Sequence, residues 1–221
     1  MLPSPQINCR ELPFFDTSSL DSVRTAFQNS TACALRQAWL PKPEAGFAPA
    51  LAHVGWRTGS LLLYVDLTDT DIFTRATADN QHFWELGDTF EIFLRPVEQE
   101  LYLEFHVTPN NLHLQLRFAN AETTKRIRKT GAFESVIINE PVFESKTWVH
   151  PNAGRWFIYA EIPVISVMEK PAPLPGSKWL FSFSRYEYAR GRKEPVISST
   201  SPHSVPDFHC QEEWGMMQFK L

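Results

Sequence analysis

Two carboxylates, an imidazole and several hydroxyl groups alternate with apolar residues in two neighbouring segments of the sequence, 89–95 and 101–108. These groups occupy every second position, at Thr89, Glu91, Phe93 and Arg95 in the first segment and at Tyr102, Glu104, His106 and Thr108 in the second. Successive residues of a β-strand point to opposite faces, so this spacing places the whole set on one face of a sheet. Carboxylate, imidazole and hydroxyl groups beside aromatic rings are suited to binding polyhydroxylated ligands. The two segments therefore predict a ligand-binding sheet face.

The intervening positions of the same two segments all carry apolar side chains. Its side chains are Phe90, Ile92, Leu94, Leu101, Leu103, Phe105 and Val107. Residues 96–100, which separate the segments, have the length of a hairpin connection. The sequence thus predicts a β-hairpin with one face buried in a core and the other face carrying the binding groups.

Trp84 lies just before this hairpin, in a polar connection over residues 69–87 that has no strong periodicity. A loop of that length within a compact domain is usually functional, and an indole at the surface is costly without a partner. Trp84 is therefore either a side chain that stacks on a ligand or a plug over the sheet edge. The residues alone leave both interpretations open.

Repeated short strands with turn signals predict an all-β fold, an antiparallel β-sandwich of two packed sheets that is jelly-roll-like and has only minor helical turns. Strands are expected at 31–40, 50–56, 61–67, 89–95, 101–108, 112–118, 133–138, 148–149, 155–162, 179–188 and 214–219. Short helical turns are expected at 20–27 and 164–168. The continuous apolar run at 61–67 indicates a central strand.

The composition fits one domain over residues 1–221, beginning with an irregular segment over 1–19. The net charge of −4 provides no basic field for nucleic acid, and the one basic cluster, KRIRK at 125–129, favours a solvated strand edge or loop. No apolar run approaches the roughly 18 residues of a membrane span, and residues 1–12 lack a charged-then-apolar export signal. Neither nucleic acid nor a membrane is expected as a partner, and the compartment stays open.

Cofactor chemistry has little support in the sequence. Cys9, Cys33 and Cys210 are too few and too widely spaced for a disulfide framework, so at least one is expected to be a free thiol. His203 and His209 do not have zinc-ligand spacing. The possible calcium ligands are Asp66, Asp69 and Asp71, which lack the glycine and terminal glutamate of an EF-hand. No cofactor is expected, and a structural calcium ion is the alternative to a plain acidic turn.

Common catalytic motifs are absent from the sequence, including GxSxG, HExxH and a glycine-rich phosphate loop. Glu91 and Glu104 share a predicted face, which keeps a paired-carboxylate glycosidase open as an alternative. The simpler interpretation is that these carboxylates accept hydrogen bonds or balance Arg95 and Arg117. A binding protein is therefore favoured over an enzyme.

Segment 82–95 resembles the W-E-x-D-S-V-E-I-F signature of family 9 carbohydrate-binding modules, a DOMON-type β-sandwich. The matching residues run from Trp84-Glu85 to the stretch DTFEIFL at 88–94, with one extra residue before Asp88. LLLYVDLTDTDIF at 61–73 is similar to the family's L-Y-V-x-x-x-V-x-D segment, and 102–105 is similar to its tyrosine-to-phenylalanine strand. Phe208-His209 followed by Trp214-Gly215 resembles the family's ending. These segments occur in the family's order from about residue 31 onward.

The resemblance implies that a sugar ring stacks between Trp84 and Phe208, with Glu91 accepting hydrogen bonds beneath it. Further ligand-binding residues are expected at His106, Thr108, Arg185 and His209, with Arg185 entering from the neighbouring strand. The chain departs from the family pattern at four positions. The family's arginine and asparagine fall at His106 and Thr108, a second asparagine falls near Val205, and Phe208 stands where a tryptophan is common.

The family's function implies a non-catalytic partner of mono- or oligosaccharides, and its members are commonly joined to glycanases. A role in polysaccharide catabolism beside a separate glycan-degrading enzyme follows as an expectation. Three alternatives stay open at this point. They are a glycan hydrolase or lyase that uses Glu91, Glu104 or His106, a haem- or other ligand-binding relative that uses methionine and histidine, and an interaction domain whose slot takes a partner's side chain.

Overall fold

The alternating segments form two β-sheets whose apolar faces meet. The structure is a computed structural model that describes residues 3–168 and 174–221. Its strands are β1 (Gln6–Arg10), β2 (Ala32–Ala34), β3 (Ala50–Arg57), β4 (Ser60–Thr68), β5 (Thr89–Pro96), β6 (Tyr102–Val107), β7 (His113–Phe118), β8 (Glu144–His150), β9 (Arg155–Pro163), β10 (Lys178–Glu187), β11 (Val196–Ser199) and β12 (Gly215–Lys220). The helices are α1 (Leu20–Phe27), α2 (Ala121–Thr130) and α3 (Val164–Val167), with short 3-10 turns at Phe83–Glu85, Phe133–Val136, Pro151–Ala153 and Gln211–Glu213.

One sheet has seven strands in the order β1-β12-β10-β5-β6-β7, with β11 also paired to β10, and we call it the site sheet. The other has five strands in the order β2-β3-β4-β9-β8. All pairs are antiparallel except β1 with β12, which run parallel. The predicted all-β sandwich is confirmed, and β4, which contains the apolar run at 61–67, is central in its sheet.

The main core lies between the two sheets. It confirms the prediction of which alternate side chains of the hairpin are buried. Phe90, Ile92 and Phe105 of the site sheet face Leu63 and Trp156 of the second sheet, and all five are fully buried. Burying a large apolar side chain contributes roughly 1.5–3 kcal/mol, so these rings provide much of the stability of the sandwich. The core thereby fixes which face of β5 and β6 turns outward.

A second apolar layer covers the outward side of the site sheet, which we call the outer face. It contains Phe93 and Tyr102 from the strands, Ile127 from α2, and Phe208 and Trp214 from the chain between β11 and β12. The face that sequence alternation assigned to ligand binding is therefore mostly covered by helix and loop. Binding groups on this face are accessible only where that cover leaves a gap.

Helix α2 corrects the expectation of a loop or strand edge at 119–131, including the KRIRK cluster. Asn120 caps the helix by accepting a hydrogen bond from the Thr123 amide at 2.9 Å, and Gly131 ends it in the left-handed conformation at φ 70°. Thr124 and Ile127 are buried and pack the helix onto the outer face. Only these two positions face the core, so the apolar periodicity of the segment is weak.

Three other predictions about elements are wrong. The irregular segment expected over 1–19 contains β1, which is held by parallel pairing with β12. The strand expected at 31–40 is limited to Ala32–Ala34, with one further bridge at Arg36. The strand expected at 133–138 is instead the turn Phe133–Val136. Each of the remaining predicted strands overlaps an observed one, and the helical turns at 20–27 and 164–168 correspond to α1 and α3.

The described residues also test the expectations about cysteines and about membrane-spanning helices. Cys9, Cys33 and Cys210 are all free, which confirms the expected free thiol. Across residues 3–168 and 174–221, no helix has both the length and the apolar character needed to cross a lipid bilayer.

Replacing Asn120 with alanine is expected to destabilise the protein by about 1 kcal/mol, because the capping acceptor for the Thr123 amide is lost. Urea denaturation followed by circular dichroism measures this change. Asn120→Asp is the matched control, since it keeps a capping oxygen. Equal destabilisation by both variants would show that the cap is not the source of the effect.

Candidate functional site

The cover over the outer face leaves a cavity of about 190 Å³ directly above β5, β6 and β10. It is lined by Trp84, Glu91, Glu104, Arg128, Phe133, Tyr186, Pro206, Phe208 and His209. Glu91 and Glu104 form its floor, and aromatic rings form much of its wall. A larger concavity of about 680 Å³ beside residues 34–51 holds no carboxylate and no buried charged group. The small cavity is therefore where the chemically distinctive groups converge.

Strand register brings the charged groups of the floor together. Glu91 on β5 lies directly opposite His106 on β6, and Glu104 is two residues before His106 on the same face. His106 Nε2 is 2.7 Å from Glu104 Oε1, and His106 Nδ1 is 3.4 Å from Glu91 Oε1. Glu91 and Glu104 are each 3% exposed and His106 is fully buried. The imidazole thus lies between two buried carboxylates.

Burial and mutual attraction move the pKa values of these three groups in different directions. Burial raises the pKa of Glu91 to about 8, even though His106 acts to lower it. Burial also acts to raise the pKa of Glu104, but His209 and His106 outweigh it and the net pKa is lowered. Burial acts to lower the pKa of His106, but Glu91 and Glu104 outweigh it and the net pKa is raised. Near neutral pH the floor therefore holds a Glu104–His106 ion pair beside a protonated Glu91.

The wall that carries Trp84 is fixed by the turn Phe83–Glu85. Phe83 is fully buried, the Tyr188 hydroxyl donates to the Trp84 carbonyl, and both oxygens of Asp88 accept backbone amides that hold the loop. The Trp84 indole stacks on His82 with ring centroids 4.7 Å apart, and it lies 5.3 Å from the ring of Phe133. Trp84 is thus partly buried and positioned by its neighbours.

Phe208 also lines the cavity and belongs to the second apolar layer. It is 4% exposed, with its ring 5.8 Å from that of Tyr186 and 6.5 Å from that of Phe93. Its carbonyl accepts a hydrogen bond from Trp214 Nε1 at 2.8 Å. Trp84 and Phe208 therefore line one cavity, as the family resemblance implies, although Phe208 is mostly enclosed by protein.

The structure brings two of the other predicted residues to the cavity region. His209 lines it, with Nδ1 2.9 Å from the Tyr102 hydroxyl and 3.7 Å from Glu104 Oε2. His106 lies beneath the floor and acts on the cavity through the two carboxylates. Thr108 is not among the lining side chains. It is fully buried and donates to Asn110 Oδ1 at 2.6 Å.

Arg185 lies on the other side of the site sheet, so the prediction that it assists ligand binding is wrong. It faces the core beside Phe90 in the register, and its guanidinium donates to the Thr68 carbonyl at 2.8 Å and to Asp69 Oδ2 at 2.9 Å. Alternation from Phe181 and Phe183 already places position 185 on the core side. Its charge suggested a binding role, but its position in the alternation of the strand places it on the core side, away from the ligand.

Four lining residues were missed by sequence reasoning. They are Arg128, Phe133, Tyr186 and Pro206. Tyr186 could have been found by parity, since it lies on the face opposite Arg185. Arg128 and Phe133 were assigned to a loop and a strand, and Pro206 lies in an irregular segment with no periodic signal.

The aspartates considered for calcium are each paired with an arginine. The pairs are Asp66 with Arg155, Asp69 with Arg185, and Asp71 with Arg190. Over residues 3–168 and 174–221, the one cluster of three potential metal ligands is Glu91, Glu104 and His106. One ligand atom of each of these residues lies within 4.8 Å of the other two. In the structure His106 Nε2 faces Glu104 and His106 Nδ1 faces Glu91.

Replacing Glu91 with glutamine removes a carboxyl group whose pKa of about 8 exceeds its ordinary value of 4.5. The folded protein keeps this group protonated while the unfolded chain ionises it, so its contribution to stability declines as the pH rises between these two values. Glu91→Gln is therefore expected to gain stability relative to wild type through that window, by at least about 1 kcal/mol. Urea denaturation of both proteins at about pH 5 and about pH 8 measures the difference. If the two proteins differ in free energy of unfolding by the same amount at both pH values, Glu91 is not held protonated in the folded protein.

Replacing Arg185 with methionine is expected to destabilise the protein by about 3–5 kcal/mol, because the Asp69 carboxylate is left buried without its partner. Adding Asp69→Asn removes that charge and is expected to restore part of the loss. Calorimetric unfolding of both variants tests this. Wild-type stability of Arg185→Met would contradict the buried placement.

Comparison with known proteins identifies relatives of this fold. No family model matches the sequence. Among curated proteins, an extracellular protein of Arthroderma benhamiae is 30% identical over 112 residues, which cover 48% of this chain and 48% of that protein. The match spans about half the length of this relative.

Solved structures match along nearly the whole chain. A candidate carbohydrate-binding protein from Bacteroides uniformis aligns with a TM-score of 0.73 and 16% identity, over 98% of this chain and 99% of that one. A family 9 carbohydrate-binding module from Caldicellulosiruptor kristjanssonii in complex with cellotriose aligns with a TM-score of 0.64 and 16% identity, over 97% and 93%. A module of that family from the same organism in complex with glucose aligns with a TM-score of 0.63 and 14% identity, over 97% and 95%. The chain therefore has the β-sandwich fold of family 9 carbohydrate-binding modules.

Proposed function

We propose that this chain is a non-catalytic carbohydrate-binding protein that holds one sugar ring in the cavity above Glu91 and Glu104. The observation that carries the proposal is the combination of aromatic walls, at Trp84 and Phe208, with a floor of buried carboxyl groups. Aromatic faces suit the C–H faces of a pyranose, and carboxyl groups suit its hydroxyls. Among the described residues, none of the four larger cavities combines aromatic walls with buried carboxyl groups.

The size of the cavity supports a single sugar unit as its occupant. Its volume of about 190 Å³ is below the roughly 300–1,000 Å³ of pockets that hold drug-sized ligands. A tetrapyrrole needs more room than this, so the haem alternative gains no support from the cavity. Met217 is buried in the main core and is directed away from the outer face.

The floor offers hydrogen-bonding groups of two kinds. Glu104 Oε2 is buried and has no hydrogen-bond partner among the described residues, so it is available to accept from a sugar hydroxyl. Glu91 is protonated near neutral pH, because of its raised pKa, and can both donate and accept. A hydroxyl group also donates and accepts, so the pair matches neighbouring hydroxyls of one ring.

The relative position of the carboxylates favours binding over hydrolysis. Glycosidases place two carboxyl groups on either side of the scissile bond. Here Glu91 and Glu104 lie on adjacent strands of one floor, with His106 between their oxygen atoms. Both groups therefore approach a bound sugar from the same side.

Two of the structural relatives support a saccharide ligand. Family 9 modules of the same fold have been solved with cellotriose and with glucose. The expected affinity is modest, since one sugar buries little area and each hydroxyl exchanges water for protein. A separate glycan-degrading enzyme is the partner that we propose on the basis of the family resemblance.

Replacing Trp84 with alanine is expected to weaken sugar binding at least about 10-fold, because one stacking wall is lost. Isothermal titration calorimetry against glucose, xylose, mannose and galactose measures the affinity. Trp148→Ala, a tryptophan on β8 of the second sheet, is the matched control and should bind as wild type does. Unchanged affinity in folded Trp84→Ala, or loss of binding in Trp148→Ala, would contradict the assignment of the cavity.

A further inference from the structure

The buried cluster at the floor of the cavity holds donor atoms of the kinds that bind transition metals. One ligand atom from each of three residues lies within 4.8 Å of the other two, and these residues are Glu91, Glu104 and His106. Carboxylate oxygen and imidazole nitrogen are ligands of zinc and of other first-row divalent ions. Sites for calcium or magnesium are built from oxygen atoms alone. The imidazole of this cluster therefore indicates a transition metal.

The spacing of the donors suits a tetrahedral ion. Ligands at about 2.0–2.2 Å from a tetrahedral zinc ion are about 3.3–3.6 Å from one another. The distance between His106 Nδ1 and Glu91 Oε1 is 3.4 Å, which lies within that range. These two atoms can therefore be neighbouring ligands of one ion with little change in their separation.

Glu104 orients the imidazole for this role. His106 Nε2 is 2.7 Å from Glu104 Oε1. A carboxylate only accepts hydrogen bonds, so Nε2 carries the hydrogen and a neutral ring presents its lone pair at Nδ1. Carboxylates commonly fix metal-binding histidines in this way. His106 Nδ1 and Glu104 Oε2 are both buried and have no hydrogen-bond partner among the described residues. Two donor atoms of the cluster therefore remain available to an ion.

The charge of the cluster also favours a bound cation. Glu91 and Glu104 are each 3% exposed, and two buried carboxylates are costly unless positive charge is close to them. Arg128, a cationic residue of the cavity wall, is engaged in an ion pair of 2.8 Å with Asp207. A divalent ion bound by a neutral imidazole balances both carboxylates. It takes the place of the proton on Glu91 and of one proton on the imidazole, both of which are released to solvent.

The cavity provides an entrance and an open position for the ion. Glu91 and Glu104 line the cavity, and His106 lies beneath them. An ion held by these three residues has the cavity on its remaining side. A zinc site with three protein ligands binds water or an oxygen atom of another molecule at its fourth position.

We propose that Glu91, Glu104 and His106 bind one divalent transition-metal ion of the zinc class at the floor of the cavity, with its open position on the cavity side. This inference goes beyond the proposed function and does not require it, because the cluster can bind an ion whether or not a sugar enters. Where both hold, a sugar hydroxyl is the oxygen that occupies the open position.

Isothermal titration calorimetry of the full chain with zinc chloride, after removal of metals with EDTA, tests the inference. Wild type is expected to bind one zinc ion per chain at least about 10-fold more tightly than Ca²⁺ or Mg²⁺, because one ligand is an imidazole. Glu91→Gln and Glu104→Gln keep the size of the side chain and remove its charge, so each is expected to weaken zinc binding at least about 10-fold. The matched controls are His150→Gln and Cys210→Ser, which change accessible side chains outside the cluster and should bind zinc as wild type does.

Cobalt provides a second measurement that needs no variant. Metal-free wild type titrated with cobalt chloride is expected to develop the visible absorption of a four- or five-coordinate site, complete at one equivalent and abolished by zinc. The near-ultraviolet charge-transfer band of a thiolate ligand should be absent, since the cluster contains no cysteine.

The contrary outcomes are distinct from those of the sugar titrations. The inference is overturned if wild type binds no zinc at one ion per chain, if folded Glu91→Gln and Glu104→Gln bind zinc as wild type does, or if Cys210→Ser loses binding. Tighter binding of Ca²⁺ than of zinc would overturn the transition-metal class. These titrations contain no sugar, so their failure leaves the proposed function standing. Sugar titration of the metal-free protein tests that function separately.

Discussion

Burial of Glu91, Glu104 and His106 on the outer face is the constraint on which the rest of the site depends. Two carboxyl groups removed from water are costly unless they are paired or neutralised. The register of β5 and β6 places the imidazole between them, and a raised pKa keeps Glu91 neutral near pH 7. The cluster is therefore tolerated in an enclosed position, where it can present oxygen atoms to a ligand.

The sandwich core supplies the rigidity that this cluster needs. Apolar residues on the inner side of β5 and β6 are fully buried against the second sheet, which fixes the outer face residue by residue. Helix α2 and the chain between β11 and β12 then cover that face, and their incomplete contact leaves the cavity. The cover determines the shape of the site, whereas the sheet determines its chemistry.

Much of the sheet could be read from the sequence, because alternation of polar and apolar residues directly reports which face is buried. That rule predicted the hairpin and the shared face of Glu91 and His106. The prediction for Arg185 was wrong because its charge was taken as a sign of ligand binding, although alternation along the strand places this residue on the core side. Helix α2 was missed, since its core contact rests mainly on Ile127 and leaves little periodic signal. Wall residues such as Phe133 come from irregular segments, whose positions depend on the folded sheet and not on any local pattern.

The most direct test of the central claim is a crystal structure of this protein grown with a saturating monosaccharide that binds in solution. The account predicts one sugar ring in the cavity between Trp84 and Phe208, with hydroxyl groups within hydrogen-bond distance of Glu91 and Glu104. A sugar bound elsewhere on the surface, with the cavity unchanged, would contradict it.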